Sequence, residues 1–117
     1  MITEFSIDID NSKDIPSVNI QGEIDIYTCG ELRKNLSTIT DNSLKSFVLN
    51  LERVQYIDST GLGTIAHTAQ QIQSKDGTIF VICSKPQIKK IFEVSGLLQK
   101  NIKLYESFDQ MDSTDHE

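Results

Sequence analysis

The segment Ile57-Asp58-Ser59-Thr60-Gly61-Leu62-Gly63 places two hydroxyls beside a carboxylate and two glycines. Apolar residues resume at Leu62, Ile65, Ala66, Ala69 and Ile72, the i, i+3, i+4, i+7 spacing of one buried helical stripe. The hydroxyls of Ser59 and Thr60 therefore belong to a helix N-terminus. Such an end presents unpaired N–H groups and the positive pole of the helix dipole, so it can hold a capping oxygen or a phosphate attached to a side chain. Either Asp58 or Ser59 can fill the cap position. A capping serine and a phosphorylatable serine are compatible uses of one residue, and Thr60 is the weaker acceptor. For Gly61 and Gly63, close packing of backbone against a sheet is the simpler role than contact with a ligand.

The same helix should turn Thr64, His67, Thr68 and Gln71 outward, and no Asp, Glu, Lys or Arg occurs from Ser59 through Ser74. Depletion of charge is a mark of interface cores, so this side is a candidate protein-binding face; a merely neutral surface is the plain alternative. His67 has no second metal ligand at suitable spacing, and no metal or cofactor is expected. Enzyme chemistry is poorly supported. Gly61-Leu62-Gly63-Thr64-Ile65-Ala66 fits the dinucleotide pattern G-x-G-x-x-A, but a loop of nine residues is expected between Leu51 and Gly61, where the fingerprint needs a strand running straight into its first glycine. Ser84 and Lys85, not an acidic residue, follow the next strand. A phosphate-cradling loop would need a lysine after Gly63, where Thr64 stands. A small nucleotide-binding protein is thus a distant alternative. For a nucleophilic Ser59 the only histidine bases are His67 and His116, and His67 projects from the same helix two turns on.

At 117 residues the chain is long enough for one core, with no internal repeat or interdomain linker. We read residues 1–111 as one domain and 112–117 as a polar tail expected to be disordered. Met1 to Phe5 lacks a signal-peptide layout, and no apolar run approaches the roughly 20 residues that cross a bilayer, so a soluble cytoplasmic protein is expected. Cys29 and Cys83 are too few for a disulfide scaffold; Cys83 closes an apolar run and reads as a buried thiol. The net charge of −6 disfavours nucleic-acid binding, and Lys85, Lys89 and Lys90 do not overturn that. Protein partners fit better.

The elements that must position the serine alternate strand and helix. Phe5, Ile7 and Ile9 alternate with polar residues, and Val18 and Ile20 resume the pattern after a turn-like Asn11 to Pro16 stretch, which predicts an opening strand pair. Thr28 and Glu31 fit a capping box for a helix with Leu32, Leu36 and Ile39 on its apolar face. Phe47 to Leu51 and Thr78 to Cys83 are short continuous apolar runs, as in strands covered on both faces. Pro86 suits the first turn of a helix carrying Ile88, Ile91 and Phe92 inward, and Gly96 is placed to end it. Ile102 to Tyr105 can form a last edge strand, and Phe108 with Met111 a short final helix. The order implies an α/β fold, a mixed sheet of four to five strands with about four helices against it.

Gly22-Glu23-Ile24-Asp25, the central strand, Asp58-Ser59-Thr60-Gly61-Leu62-Gly63 and Phe92-Glu93-Val94-Ser95-Gly96-Leu97 together resemble the bacterial anti-sigma factor antagonists, which are single STAS domains. The resemblance runs from about Phe5 to Tyr105, in order and spacing. It implies the STAS fold, with Ser59 as the serine phosphorylated by a partner that is both anti-sigma factor and kinase. It further implies a PP2C-type phosphatase that removes the phosphate, and a sigma factor freed while the unphosphorylated antagonist holds the kinase. Family members are substrates rather than catalysts. The resemblance puts Asp25 beside the acceptor, on the surface that meets the kinase; the expected partner-binding residues are then Asp25, Asp58, Ser59, Thr60, Gly61, Leu62 and Gly63, with Thr64, His67 and Thr68 of the uncharged helix side continuing that contact. Without the family, Asp25 reads as a solvated loop carboxylate. Asn50 and Glu52 replace an aspartate and a serine common after the central strand, and Cys29 a small apolar residue; they touch loop details, not the acceptor. A phosphoswitch STAS module governing a phosphatase, secretion or trafficking circuit is the main rival. No exposed stripe demands a homodimer, so a monomer making transient complexes is expected.

Overall fold

Successive residues of the apolar runs fall into two cores on the two faces of one sheet. The computed structural model describes residues 4–41 and 45–114, and its elements are β1 (Ser6–Asp10), β2 (Ser17–Ile24), α1 (Cys29–Thr40), β3 (Phe47–Ile57), α2 (Ser59–Gln73), β4 (Ile79–Ile82), α3 (Pro86–Ser95), β5 (Ile102–Tyr105) and α4 (Phe108–Thr114). The strands lie in the order β1-β2-β3-β4-β5; β1 is antiparallel to β2, and every later neighbour is parallel. Each parallel step is made through a helix. Phe47, Leu49 and Leu51 of β3 and Ile79 and Val81 of β4 share a core with Leu32, Leu36, Ile65, Ile72, Ile88 and Phe92 from α1, α2 and α3. On the opposite face Val48, Phe80 and Ile82 meet Met111 of α4, with Phe108 and Tyr105 against them. Strands apolar at every position are what a sheet covered on both faces requires. The expected architecture of a mixed sheet with four packed helices is thus the observed one.

The principal departure concerns β3, which runs on through Ile57 where a nine-residue loop was expected. Leu49, Leu51, Val54 and Ile57 are all inward, at spacings of two, three and three. The register explains the broken period: Asn19 pairs with Asn50 but Gln21 with Arg53, and Gly22 pairs with Val54 but Glu23 with Tyr56, so β3 carries one extra residue at each of two bulges. Each bulge flips the parity of inward residues. Only Asp58 then separates strand from helix, so the loop-based objection to the dinucleotide pattern falls. The objection from Ser84 and Lys85 stands.

Helix boundaries follow their expected signals at Pro86 in the first turn of α3 and at Gly96, whose φ of 81° ends it. The start of α1 is built differently from a capping box, because Thr28 makes no side-chain cap bond. Its hydroxyl instead donates to the Glu23 carbonyl at 2.8 Å and accepts from the Asp25 N–H at 2.9 Å. Cys83 is fully buried as expected, and burial pushes its thiol pKa up. α4 extends through Thr114, so the anticipated polar tail begins inside a helix, and residues 115–117 lie outside the described residues.

Candidate functional site

Residues at the C-terminal ends of β2 and β3 assemble the site. Ile24 pairs with Ile57 across these parallel strands, and the Asp58 N–H donates to the Ile24 carbonyl at 3.0 Å. Asp25 and Asp58 therefore leave the sheet side by side. Asp58 is extended at φ −95°, ψ −178°, and its carboxylate Oδ1 accepts from the Gly61 N–H at 2.8 Å. It is the N-cap of α2, satisfying a donor that the helix itself cannot. Ser59 and Thr60 occupy the first two helical positions, both exposed, and neither side-chain hydroxyl has a hydrogen-bond partner among the described residues. The choice between Asp58 and Ser59 as cap is settled in favour of the aspartate.

Gly61 is where helix and sheet touch. A Cβ on it would lie 2.4 Å from Cγ2 and 3.0 Å from the carbonyl oxygen of Ile24, so close packing is its role, as expected. Gly63 departs from that expectation: it is exposed, and a Cβ there would meet nothing within 4 Å. Leu62 is half-buried against the core. Asp25 is not a freely solvated carboxylate. Its Oδ1 accepts from the N–H groups of Tyr27 at 2.9 Å and Thr28 at 3.1 Å, which folds the turn entering α1.

The outward side of α2 needs correction. Thr64 and Thr68 are 6% and 3% exposed, and their hydroxyls bond back to the carbonyls of Thr60 at 3.1 Å and Thr64 at 2.9 Å. Such self-satisfaction lets a threonine bury without an external partner. They line, with Arg33 and Ser37 of α1, a cleft of about 290 Å³ between the two helices, whose rim also holds Thr60, Gly63, His67 and Gln71. His67 and Gln71 are exposed as expected; Thr64 and Thr68 stand inward at the helix–helix seam.

Three residues near the serine escaped sequence reading: Ile26, Tyr27 and Tyr56 are 65%, 92% and 50% exposed. Ile26 and Tyr27 follow Asp25 directly, and Tyr56 precedes Ile57 and Asp58. The available signal was two bulky apolar residues in a turn between strand and helix, belonging to no periodic stripe. Together with the uncharged surface of α2, they expose apolar and aromatic groups at the same end of the sheet as the serine, a composition found in protein interfaces.

Comparison with known proteins follows the same geometry. A model of the STAS domain matches residues 6–111. An anti-sigma-B factor antagonist of Staphylococcus aureus (strain NCTC 8325 / PS 47) is 34% identical over 80 residues, covering 68% of this chain and 74% of that protein. Its counterpart in Staphylococcus epidermidis is 31% identical over 84 residues, or 72% and 78% of the two chains. Among solved structures, an anti-sigma factor antagonist from Mycobacterium paratuberculosis superposes with a TM-score of 0.85 at 21% identity, over 97% of this chain and 96% of that one. The chain belongs to the STAS domain family and, within it, to the anti-sigma factor antagonists.

Proposed function

We propose that Ser59 is the phosphate acceptor of a partner switch: the unphosphorylated chain binds an anti-sigma factor that is also a serine kinase, and the sigma factor is thereby released. Phosphorylation by that kinase ends binding, and a PP2C-type phosphatase restores it. The observation that carries this reading is the exposed Ser59 hydroxyl, which makes no hydrogen bond among the described residues while Asp58 performs the capping. A kinase reaching it disrupts no structural bond.

A phosphate adds about −1.5 to −2 charges at neutral pH, beside Asp58 and Asp25 on a chain already at −6. Like charges across a contact cost several kcal/mol, roughly a hundredfold or more in affinity. The helix N-terminus pulls the other way, stabilising phosphoserine where it stands. The switch therefore changes binding and leaves the fold as it is. Ile26, Tyr27 and Tyr56 supply apolar anchors around the serine, and Asp25 sets the turn that presents two of them. Thr60, Gly63 and His67 continue the surface, while Gly61, Leu62, Thr64 and Thr68 shape it from beneath. The domain of residues 1–111 carries this function as a cytoplasmic monomer in transient complexes.

Affinity capture from lysate of the source bacterium tests the reading, with folded wild type, Ser59→Ala, Ser59→Asp and an Ile26→Ser/Tyr27→Ser double variant as baits. Wild type and Ser59→Ala should retain an ATP-binding anti-sigma kinase. Ser59→Asp should lose it by about a hundredfold, and the double variant by at least tenfold at unchanged melting temperature. Equal capture by wild type and Ser59→Asp would end phosphorylation control as the mechanism. A captured partner unrelated to sigma regulation would transfer the switch to another circuit.

A further inference from the structure

The back of the sheet is covered incompletely. Among the described residues, α4, seven residues long, is the one helix that shares the core of that face, over Val48, Phe80 and Ile82. Between α4 and the turn joining β1 to β2 a cavity of about 630 Å³ remains, within the range of roughly 300–1,000 Å³ typical of small-molecule sites. Its apolar walls are Val48 on β3, Ile15 in the turn, and Phe108 and Met111 on α4. This turn sits at the N-terminal end of β2, where Ser17 pairs with Val48, whereas Ser59 follows the C-terminal end of β3. Eleven strand residues at about 3.3 Å each put roughly 30 Å between the two regions. The cavity is thus no part of the serine's surround.

Its charges are uneven. Asp10, Asp14 and Asp112 line it against a single amine, that of Lys13. Asp10 accepts from the Ser12 N–H at 2.9 Å, and hydrogen bonding to Ser12 holds its pKa down. The Lys13 amine stands 5.6 Å from the centre of the Phe108 ring, at cation–π range. This ammonium lies over the aromatic wall, and among the described residues it makes no ion pair with any of the three carboxylates. A carboxylate ligand would have one amine to meet and three like charges to oppose.

We propose that this cavity binds a small organic cation, an amine or guanidinium carried on an apolar body, with the body against Val48, Met111 and Phe108 and the charge among Asp10, Asp14 and Asp112. The site is independent of the phosphorylation reading.

The test uses two probes sharing an aryl-alkyl body and opposite in charge, 4-phenylbutylammonium and 5-phenylpentanoate, titrated into the full chain and followed by amide NMR shifts. The ammonium should shift amides of residues 10–17 and 108–112 and bind at least tenfold more tightly than the carboxylate. Asp14 is exposed and makes no hydrogen bond among those described, so Asp14→Lys leaves the fold intact, as its unchanged spectrum elsewhere verifies. It should reduce the preference at least tenfold. Equal binding of both probes, tighter binding of the carboxylate, shifts centred on other segments, or no shift up to the solubility of the ammonium would overturn the proposal.

Discussion

Replacing Gly61 by alanine puts a methyl carbon 2.4 Å from Cγ2 and 3.0 Å from the carbonyl oxygen of Ile24. The side-chain contact can be relieved in part by rotation. The carbonyl cannot retreat freely, because it accepts the Asp58 N–H at 3.0 Å and belongs to a residue with no exposed surface. Overpacking of this kind costs about 1–3 kcal/mol. Gly63 supplies the control on the same helix, since its Cβ position is open. Alanine gains about 0.5–1 kcal/mol over glycine in a helix, and this gain largely cancels when the two variants are compared. Gly61→Ala should therefore be about 1–3 kcal/mol less stable than Gly63→Ala, or roughly 4–12 °C in melting temperature for a chain of this size. Gly63→Ala should equal or exceed wild type. Urea unfolding followed by circular dichroism measures both. Gly61→Ala as stable as Gly63→Ala would refute the close approach of α2 to β2 on which the placement of Ser59 rests.

Asp58→Ala should lose about 1 kcal/mol in the same assay, whereas Ser59→Ala should stay within about 0.5 kcal/mol of wild type; the reverse ranking would make the serine the cap. The exposed Lys89–Glu106 ion pair raises the lysine pKa and lowers that of the glutamate, each through their mutual hydrogen bond first and charge second. Its small stabilisation is present above the ordinary glutamate pKa and fades as pH falls through the lowered value; at the alkaline end it fades as pH rises through the raised lysine value. NMR titration of the Glu106 side chain should show a depressed midpoint that Lys89→Met returns to the ordinary value, and an unchanged midpoint would remove the pair.

Elements with an uninterrupted period are legible in the amino-acid sequence alone. Leu62, Ile65, Ala69 and Ile72 mark the sheet-facing stripe of α2, and the continuous run from Thr78 to Cys83 marks β4. β3 is half legible, since each bulge inserts a residue and moves the inward set to the other parity, so Val54 falls out of phase with Leu51 and Ile57 comes back into phase only through the second bulge. The direction of Thr64 and Thr68 is not legible for a different reason. A helix wheel shows which residues are apolar, while burial of a hydroxyl depends on a neighbouring helix and on a carbonyl one turn back. The Asp58–Gly63 segment stands out by composition, yet which of its oxygens caps the helix is decided by one bond, from the Gly61 N–H to Asp58. Ile26 and Tyr27 carry no period at all, and only their exposure beside Asp25 gives them meaning.

The division of labour between Asp58 and Ser59 has a bearing on speed. Where a modified residue is also a structural one, adding or removing the group must melt and rebuild a piece of backbone, and that rearrangement enters the response time. Here the helix start is fastened by Asp58 on one side and by its N–H to Ile24 on the other, while the neighbouring hydroxyl carries no structural duty. A covalent mark on it leaves every backbone hydrogen bond of the turn in place. Were Ser59 modified as proposed above, the tempo of its circuit would be set by how fast the modifying enzymes work and how fast complexes part, commonly milliseconds to days, with no refolding step of its own.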